Sequence, residues 1–188
     1  MTDLIDLTYA LSALFGIDTD LNLGEAANLL NLVTKVSINS DGRSNNSPKS
    51  FLREWNGCRR LFTGPKASVP LEESIYKPWT DEKGHPLRGV TGLTWGDCTV
   101  HMRDTLERCG IAYDPAMFSS PDHLAIILEF VGFLLESGRP EEAVAFSSDH
   151  LDWLESLLTR TQDLKLSEVV QTPINAVIQL RELIISLN

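Results

Sequence analysis

Two Asp-His dipeptides and a short cysteine–histidine stretch hold most of the side chains in this sequence that could do chemistry. Asp122-His123 follows Ser120-Pro121, and Asp149-His150 precedes Leu151 and Trp153. An acid beside an imidazole is a pairing that acid–base catalysis uses. Neither pair, however, has a Ser or Cys at a recognisable nucleophile position, and the sequence holds no Gly-rich phosphate loop, no His-Glu-x-x-His and no nucleophile elbow. Both pairs also have a purely structural reading. Asp122 at the second position of a helix would meet free backbone N–H groups and the positive end of the dipole, with His123 as a neighbour. His150 would fill one position of an amphipathic helix. Cys98, His101 and Cys109 fall on one helix. Cys98 and Cys109 would then lie three turns apart, about 16 Å at 1.5 Å per residue, too far to share an ion. Packing accounts for them better, and no metal or other cofactor is expected.

The elements that position these residues are helices. The chain has 188 residues, with 43% hydrophobic and 22% charged side chains, enough for one substantial core in a single domain. Leu occurs 28 times against 21 for Val and Ile together, which favours helix over sheet. Periodicity places helices over Leu4–Phe15 and Leu23–Val33, and another from a Ser47-Pro48 cap through Trp55 to about Phe62. Helix resumes after Thr94, with Met102, Leu106 and Cys109 on one face and Gly110 at its end. Ser120-Pro121 repeats the cap-plus-proline signature, and the helix behind it is apolar on nearly every side from Leu124 to Leu135. A helix of that kind belongs at the centre of a core. Gly138 and Pro140 separate it from a segment through Phe146 and His150 to Leu158, read as one helix or two. The last helix covers 167–187, where Pro173 predicts a kink or a late start. The fold class is all-α, a single helical bundle.

Residues 63–93 interrupt this pattern with Pro65, Pro70, Pro78 and Pro86 and with Gly64, Gly84, Gly89 and Gly92. A loop this long is uncommon in a small domain and is often functional. Its Val69–Trp79 portion carries Ile75, Tyr76 and Trp79 beside Glu72 and Glu73, so it either packs on the bundle or lines a groove.

The charge excludes some functions and suggests others. There are 26 acids against 16 bases, a formal charge of −10, so no basic surface exists to displace counterions from nucleic acid. Residues 114–155 alone carry nine acids and one base, Arg139. That span is either a solvated face or a field that steers a cationic partner. Three cysteines do not make a secreted disulfide framework. The N-terminus carries Asp3 and Asp6 where a secretory signal needs cations, and the most apolar run is 12 residues broken by Glu129. The expectation is a cytoplasmic protein without membrane insertion.

Four motifs in order resemble the TorD/DmsD/NarJ family of redox-enzyme maturation chaperones. Arg60-Leu61-Phe62-Thr63-Gly64-Pro65 is similar to its Arg-Leu-Phe-Val-Gly-Pro, and Glu73-Ser74-Ile75-Tyr76 to its Glu-Ser-Val-Tyr. Ser120-Pro121-Asp122-His123-Leu124 resembles its Glu-Pro-x-Asp-His element, and Phe146 to Trp153 its Phe-x-x-x-His-Leu-x-x-Trp. Gly96-Asp97-Cys98-Thr99 with Arg103 is similar to the DmsD/TorD branch in particular. The resemblance implies a helical chaperone, not an enzyme. Its expected partner is the twin-arginine signal peptide on the catalytic subunit of a molybdopterin-containing oxidoreductase, held back from export until the cofactor is in place. It implies a peptide site built from Leu61, Phe62, Glu73, Ser74, Tyr76, Asp122, His123, His150 and Trp153, and a homodimer by helix exchange is a habit of the family. A receptor for two arginines and an apolar stretch needs carboxylates beside apolar surface. On this reading Asp122 sits where the core meets solvent and meets a peptide arginine. The alternatives are a helical adaptor without signal-peptide binding and a small acid–base enzyme using Asp122, His123 or His150.

Overall fold

The computed structural model describes residues 1–16, 23–36, 47–64, 66–115, 118 and 120–187. Pro65 of the Arg-Leu-Phe motif lies outside them. Among the described residues there are eight α-helices: α1 (Thr2–Phe15), α2 (Leu23–Val36), α3 (Pro48–Cys58), α4 (Asp97–Arg108), α5 (Leu124–Glu136), α6 (Pro140–His150), α7 (Leu154–Asp163) and α8 (Glu168–Ile185). The all-α expectation is met. α8 packs against α1, α2, α3, α6 and α7, and α5 against α1 and α6. α1 lies chiefly along α5, while α6 and α7 close over α8, and α2 and α3 pair at the other side.

The sequence explains why α5 is central. Leu124, Ile127, Leu128 and Val131 are wholly buried, and Ala125, Ile126, Phe130, Leu134 and Leu135 nearly so. Only Glu129 and the C-terminal Glu136 are exposed along it. Gly132 lets α1 approach, because a Cβ there would stand 2.8 Å from the Tyr9 ring. Ser12 Oγ fixes the register by donating to the Ala125 carbonyl at 2.8 Å.

Helix ends follow local chemistry with one correction. Ser47 caps α3 by accepting from the Ser50 N–H, with Pro48 at the first helical position. Gly110 and Gly138 adopt φ of 69° just past α4 and α5, a left-handed turn that suits glycine. The segment after Pro140 is two helices, α6 and α7, and α8 begins at Glu168 and runs on through Pro173. The correction concerns α5. It does not open at Ser120-Pro121; it starts at Leu124 with His123 as its cap, whose ring nitrogen accepts from the Ala125 N–H at 3.2 Å.

The long segment after α3 is ordered by hydrogen bonds. A 3-10 turn, Glu73–Ile75, is its only regular piece after Arg59–Leu61 among the described residues. Upstream of that turn, Val69 and Leu71 are buried in the core. The Leu124 N–H donates to the Leu71 carbonyl, and the Glu73 N–H to the Asp122 carbonyl, so the chain docks against the start of α5. Downstream, the loop from 79 to 96 closes on itself, with Trp79 N–H bonded to Val90 and Asp97 N–H to Trp79. Gly96 makes that closure fit, since a Cβ would fall 2.6 Å from the Trp79 carbonyl oxygen. The loop thus both packs on the bundle and lines a cavity.

Candidate functional site

The 3-10 turn at 73–75 is the junction on which the site is built. Glu73 is wholly buried there, and its Oε2 lies 2.8 Å from His150 Nδ1 at the end of α6. An ionised carboxylate only accepts, so a neutral His150 ring facing it donates from Nδ1 and keeps its lone pair on Nε2. That Nε2 stands 2.9 Å from Nδ1 of His101, on α4. The two rings are nearly coplanar, with centroids 5.0 Å apart. Lys77 Nζ lies 2.9 Å from Glu73 Oε1 and 2.7 Å from Asp152 Oδ1, and it also donates to the Asp149 carbonyl. Burial pushes the Lys77 pKa down, but Glu73 and Asp152 more than offset this, leaving it raised.

These groups form one side of a cavity of about 480 Å³ lined by Glu73, Lys77, Asp81, Asp97, Cys98, His101, Asp149, His150 and Asp152, with Pro78 at its edge. Five of its lining residues are carboxylates and one is a lysine. Asp97 is oriented by the Thr80 hydroxyl, which donates to its Oδ2 at 2.7 Å. The Cys98 thiol is pushed up to about 12, first by burial and then by the Glu73 and Asp122 carboxylates. It stays protonated at neutral pH and is no nucleophile. The excess of carboxylates over the one lysine makes the cavity favourable to positive charge.

Seven of the nine residues expected to bind peptide are joined in one network around this turn. Asp122 Oδ2 accepts from the Ser74 N–H at 2.8 Å and its Oδ1 from the Ser120 hydroxyl. His123 caps α5 and pairs with Glu72 in an isolated bridge. Tyr76 stacks on Trp153 with ring centroids 5.0 Å apart, and Trp153 Nε1 donates to the His150 carbonyl. Leu61 and Phe62 lie elsewhere. Phe62 packs in an aromatic cluster with Phe15 and Trp55, and Leu61 leans on the same core.

The expectation that Asp122 sits at the solvent boundary is overturned. It is 0% exposed and its oxygens are engaged, while His123 is 4% exposed. Ser120, expected to be free to cap the helix, is instead bound to Asp122. The pair ties the 3-10 turn to α5. Glu73, Ser74, His150 and Trp153 are buried as well. The residues sequence reasoning missed are Asp81, Asp152 and Lys77 on the cavity wall. Asp97, Asp149 and His101 stand out in the sequence only as members of other groupings. The signal for them is the concentration of acids in 114–155 and the carboxylates of the loop, but no local spacing links them.

Comparison with protein families decides the relationship. The family model described as "Nitrate reductase delta subunit" matches residues 23–166. The chain belongs to that family. It is a NarJ/TorD-type family of chaperones for molybdoenzyme maturation, so this member falls in a chaperone family rather than a catalytic one. The match spans all four motifs of the TorD/DmsD/NarJ resemblance and does not separate the DmsD/TorD branch from the rest. No curated protein aligns significantly with the chain. Among the described residues of this family member, no helix is long and apolar enough to cross a membrane.

Proposed function

We propose that this chaperone binds the twin-arginine signal peptide of a molybdopterin-containing oxidoreductase in the cytoplasm, holding its catalytic subunit while the cofactor is inserted. The observation that carries this reading is the acidic cavity, with five carboxylates among its lining residues. Guanidinium groups pair with carboxylates directionally and in bidentate fashion. Asp81 and Asp97 are exposed at the cavity and are the groups we assign to the arginines, over a floor of Glu73 and His150. The apolar stretch of a signal peptide finds a match close by. Val90, Leu93, Trp95 and Val100 are large apolar side chains more than a third exposed, on the loop and helix that carry Asp97.

In this reading the buried members of the expected site act through shape. Asp122, His123 and Ser74 hold the turn that presents Glu73, and Tyr76 on Trp153 braces its far side. Leu61 and Phe62 support the core from a distance.

The test is calorimetric titration of a synthetic twin-arginine peptide, run in chelator. The Asp81→Asn/Asp97→Asn double variant, both positions exposed, should bind about tenfold more weakly or worse, and so should a twin-lysine peptide against the unaltered chain. Affinity should also fall as salt rises from low to physiological strength. Equal binding by the double variant would overturn the assignment.

A further inference from the structure

His101, Asp149 and His150 present three ligand atoms to one point in space. His101 Nδ1 and His150 Nε2 are 2.9 Å apart, and each lies 3.8 Å from Asp149 Oδ2. Two nitrogens and an oxygen bound to zinc at about 2.0–2.1 Å in a tetrahedron would stand about 3.3 Å from one another. The observed spacing brackets that value. The adjustment falls on His101 and Asp149, whose side chains are 52% and 65% exposed and have room to pivot.

Three further features point to a cation here. The Glu73 carboxylate holds His150 through Nδ1, which fixes the lone pair on Nε2. A carboxylate behind a ligating imidazole is the usual outer partner of a protein-bound metal, setting tautomer and orientation. Asp149 and His150 lie in the last turn of α6, where the helix dipole is negative. The triad also opens into the acidic cavity, so a cation would keep a position free for water or a further ligand. The donor set matters as well. Two imidazoles and one carboxylate suit borderline divalent ions, whereas magnesium and calcium take oxygen ligands.

We propose that His101, Asp149 and His150 form a binding site for a borderline divalent transition-metal ion of the zinc class, with Glu73 as its outer-sphere positioning residue. Bound there, the ion replaces the hydrogen bond between the two imidazoles and ties α4 to the end of α6. That link has consequence because α4 otherwise packs mainly on the short turn at 73–75. The site does not depend on the peptide reading. It uses other primary groups than Asp81 and Asp97, and the peptide titration in chelator is read without metal.

The experiment is calorimetric titration of zinc chloride into the full-length, untagged, chelator-stripped chain, with magnesium chloride as a parallel arm. One zinc ion should bind per chain, and magnesium should give no saturable heat. His101→Gln and Asp149→Asn, both at exposed positions, should each weaken zinc binding by at least about tenfold, and Glu73→Gln by about 10–100-fold. His85→Gln, altering a histidine that stacks on Trp79 outside the triad, should leave it unchanged. Saturating zinc should raise the melting temperature of the unaltered chain and not of His101→Gln. Should Glu73→Gln fail to fold, the two exposed variants decide the matter by themselves. Absence of saturable zinc binding, magnesium binding of equal strength, or unweakened binding by both His101→Gln and Asp149→Asn would overturn the proposal.

Discussion

The two Asp-His dipeptides are identical in sequence and opposite in use. At Asp122-His123 both side chains are buried, and their hydrogen bonds run to Ser74, Ser120 and Ala125. At Asp149-His150 the aspartate is exposed, and the histidine forms the floor of an acidic cavity between Glu73 and His101. The first pair joins a loop to a helix, while the second sets a buried histidine beside an exposed aspartate on the wall of the acidic cavity. Their spatial neighbours make the difference. Asp122 precedes the most apolar helix of the bundle and is covered by the chain that docks on it. Asp149 lies at the end of α6, on the wall of a cavity rich in carboxylates. A charged pair is therefore not diagnostic by type; the groups packed around it decide whether it supports the fold or meets a ligand.

The sharpest way to break this comparison is to remove the buried acid. Asp122→Ala leaves the Ser74 N–H and the Ser120 hydroxyl without their acceptor in a dry site. At about 1–3 kcal/mol for each stranded group, the loss should total about 4 kcal/mol in a urea denaturation. Asp122→Asn keeps one oxygen for Ser74 and can donate to Ser120, so it should lose only about 1–2 kcal/mol. A melt in which Asp122→Ala is as stable as the unaltered chain would dissolve the contrast.

A somewhat smaller effect is expected from acid. Burial lowers the His123 pKa from 6.5 to about 4, against the opposing pull of Asp122. The folded state therefore keeps a neutral ring while the unfolded state takes up a proton near pH 6.5. Between those values the unfolded chain binds more protons, so stability falls as pH drops, by about 3 kcal/mol in all. Urea midpoints measured in steps from pH 7 to pH 4 should show this slope. His123→Asn, which can still cap α5, should flatten it.

Tyr76→Phe should be milder. It deletes the hydroxyl that donates to the Pro70 carbonyl at 2.9 Å and spares the stack on Trp153, at a cost of about 1 kcal/mol in thermal melts. The smallest change in stability belongs to the second dipeptide. Asp149→Asn, at an exposed position, should stay within about 0.5 kcal/mol of the unaltered chain in the same melts. A large loss there would show that the exposed aspartate supports the fold as well.

Much of the scaffold could be read from the sequence, because helix formation is largely local. Ser47-Pro48, Gly110 and Gly138 mark helix ends through backbone chemistry that a few neighbouring residues settle. The apolar character of Leu124–Leu135 on nearly every side, with Glu129 as the one charged residue, foretold the central helix, since such a surface has nowhere else to go. The four motifs identified the family, because they lie in order along the chain and need no geometry to be recognised. The same reasoning misplaced the start of α5. Ser120 can cap a helix as well as His123 can, and only the tertiary hydrogen bond from Ser120 to Asp122 takes that option away.

The candidate site was legible only in pieces. Glu73 and His150 are 77 residues apart, and His101 and His150 are 49 apart. Each could be named as a residue type able to do chemistry, yet their meeting depends on where a 3-10 turn docks between α4 and the end of α6. Burial behaves in the same way. Asp122 and Asp149 have the same intrinsic chemistry and the same adjoining histidine, but exposure is a property of everything packed around them. Local sequence carried the helical class, most of the helices and the family, though not the start of α5 or the division of α6 from α7. Tertiary structure decided which of the two aspartates is enclosed and which stays exposed beside a cavity, because desolvation and long-range contacts are not encoded in any local spacing.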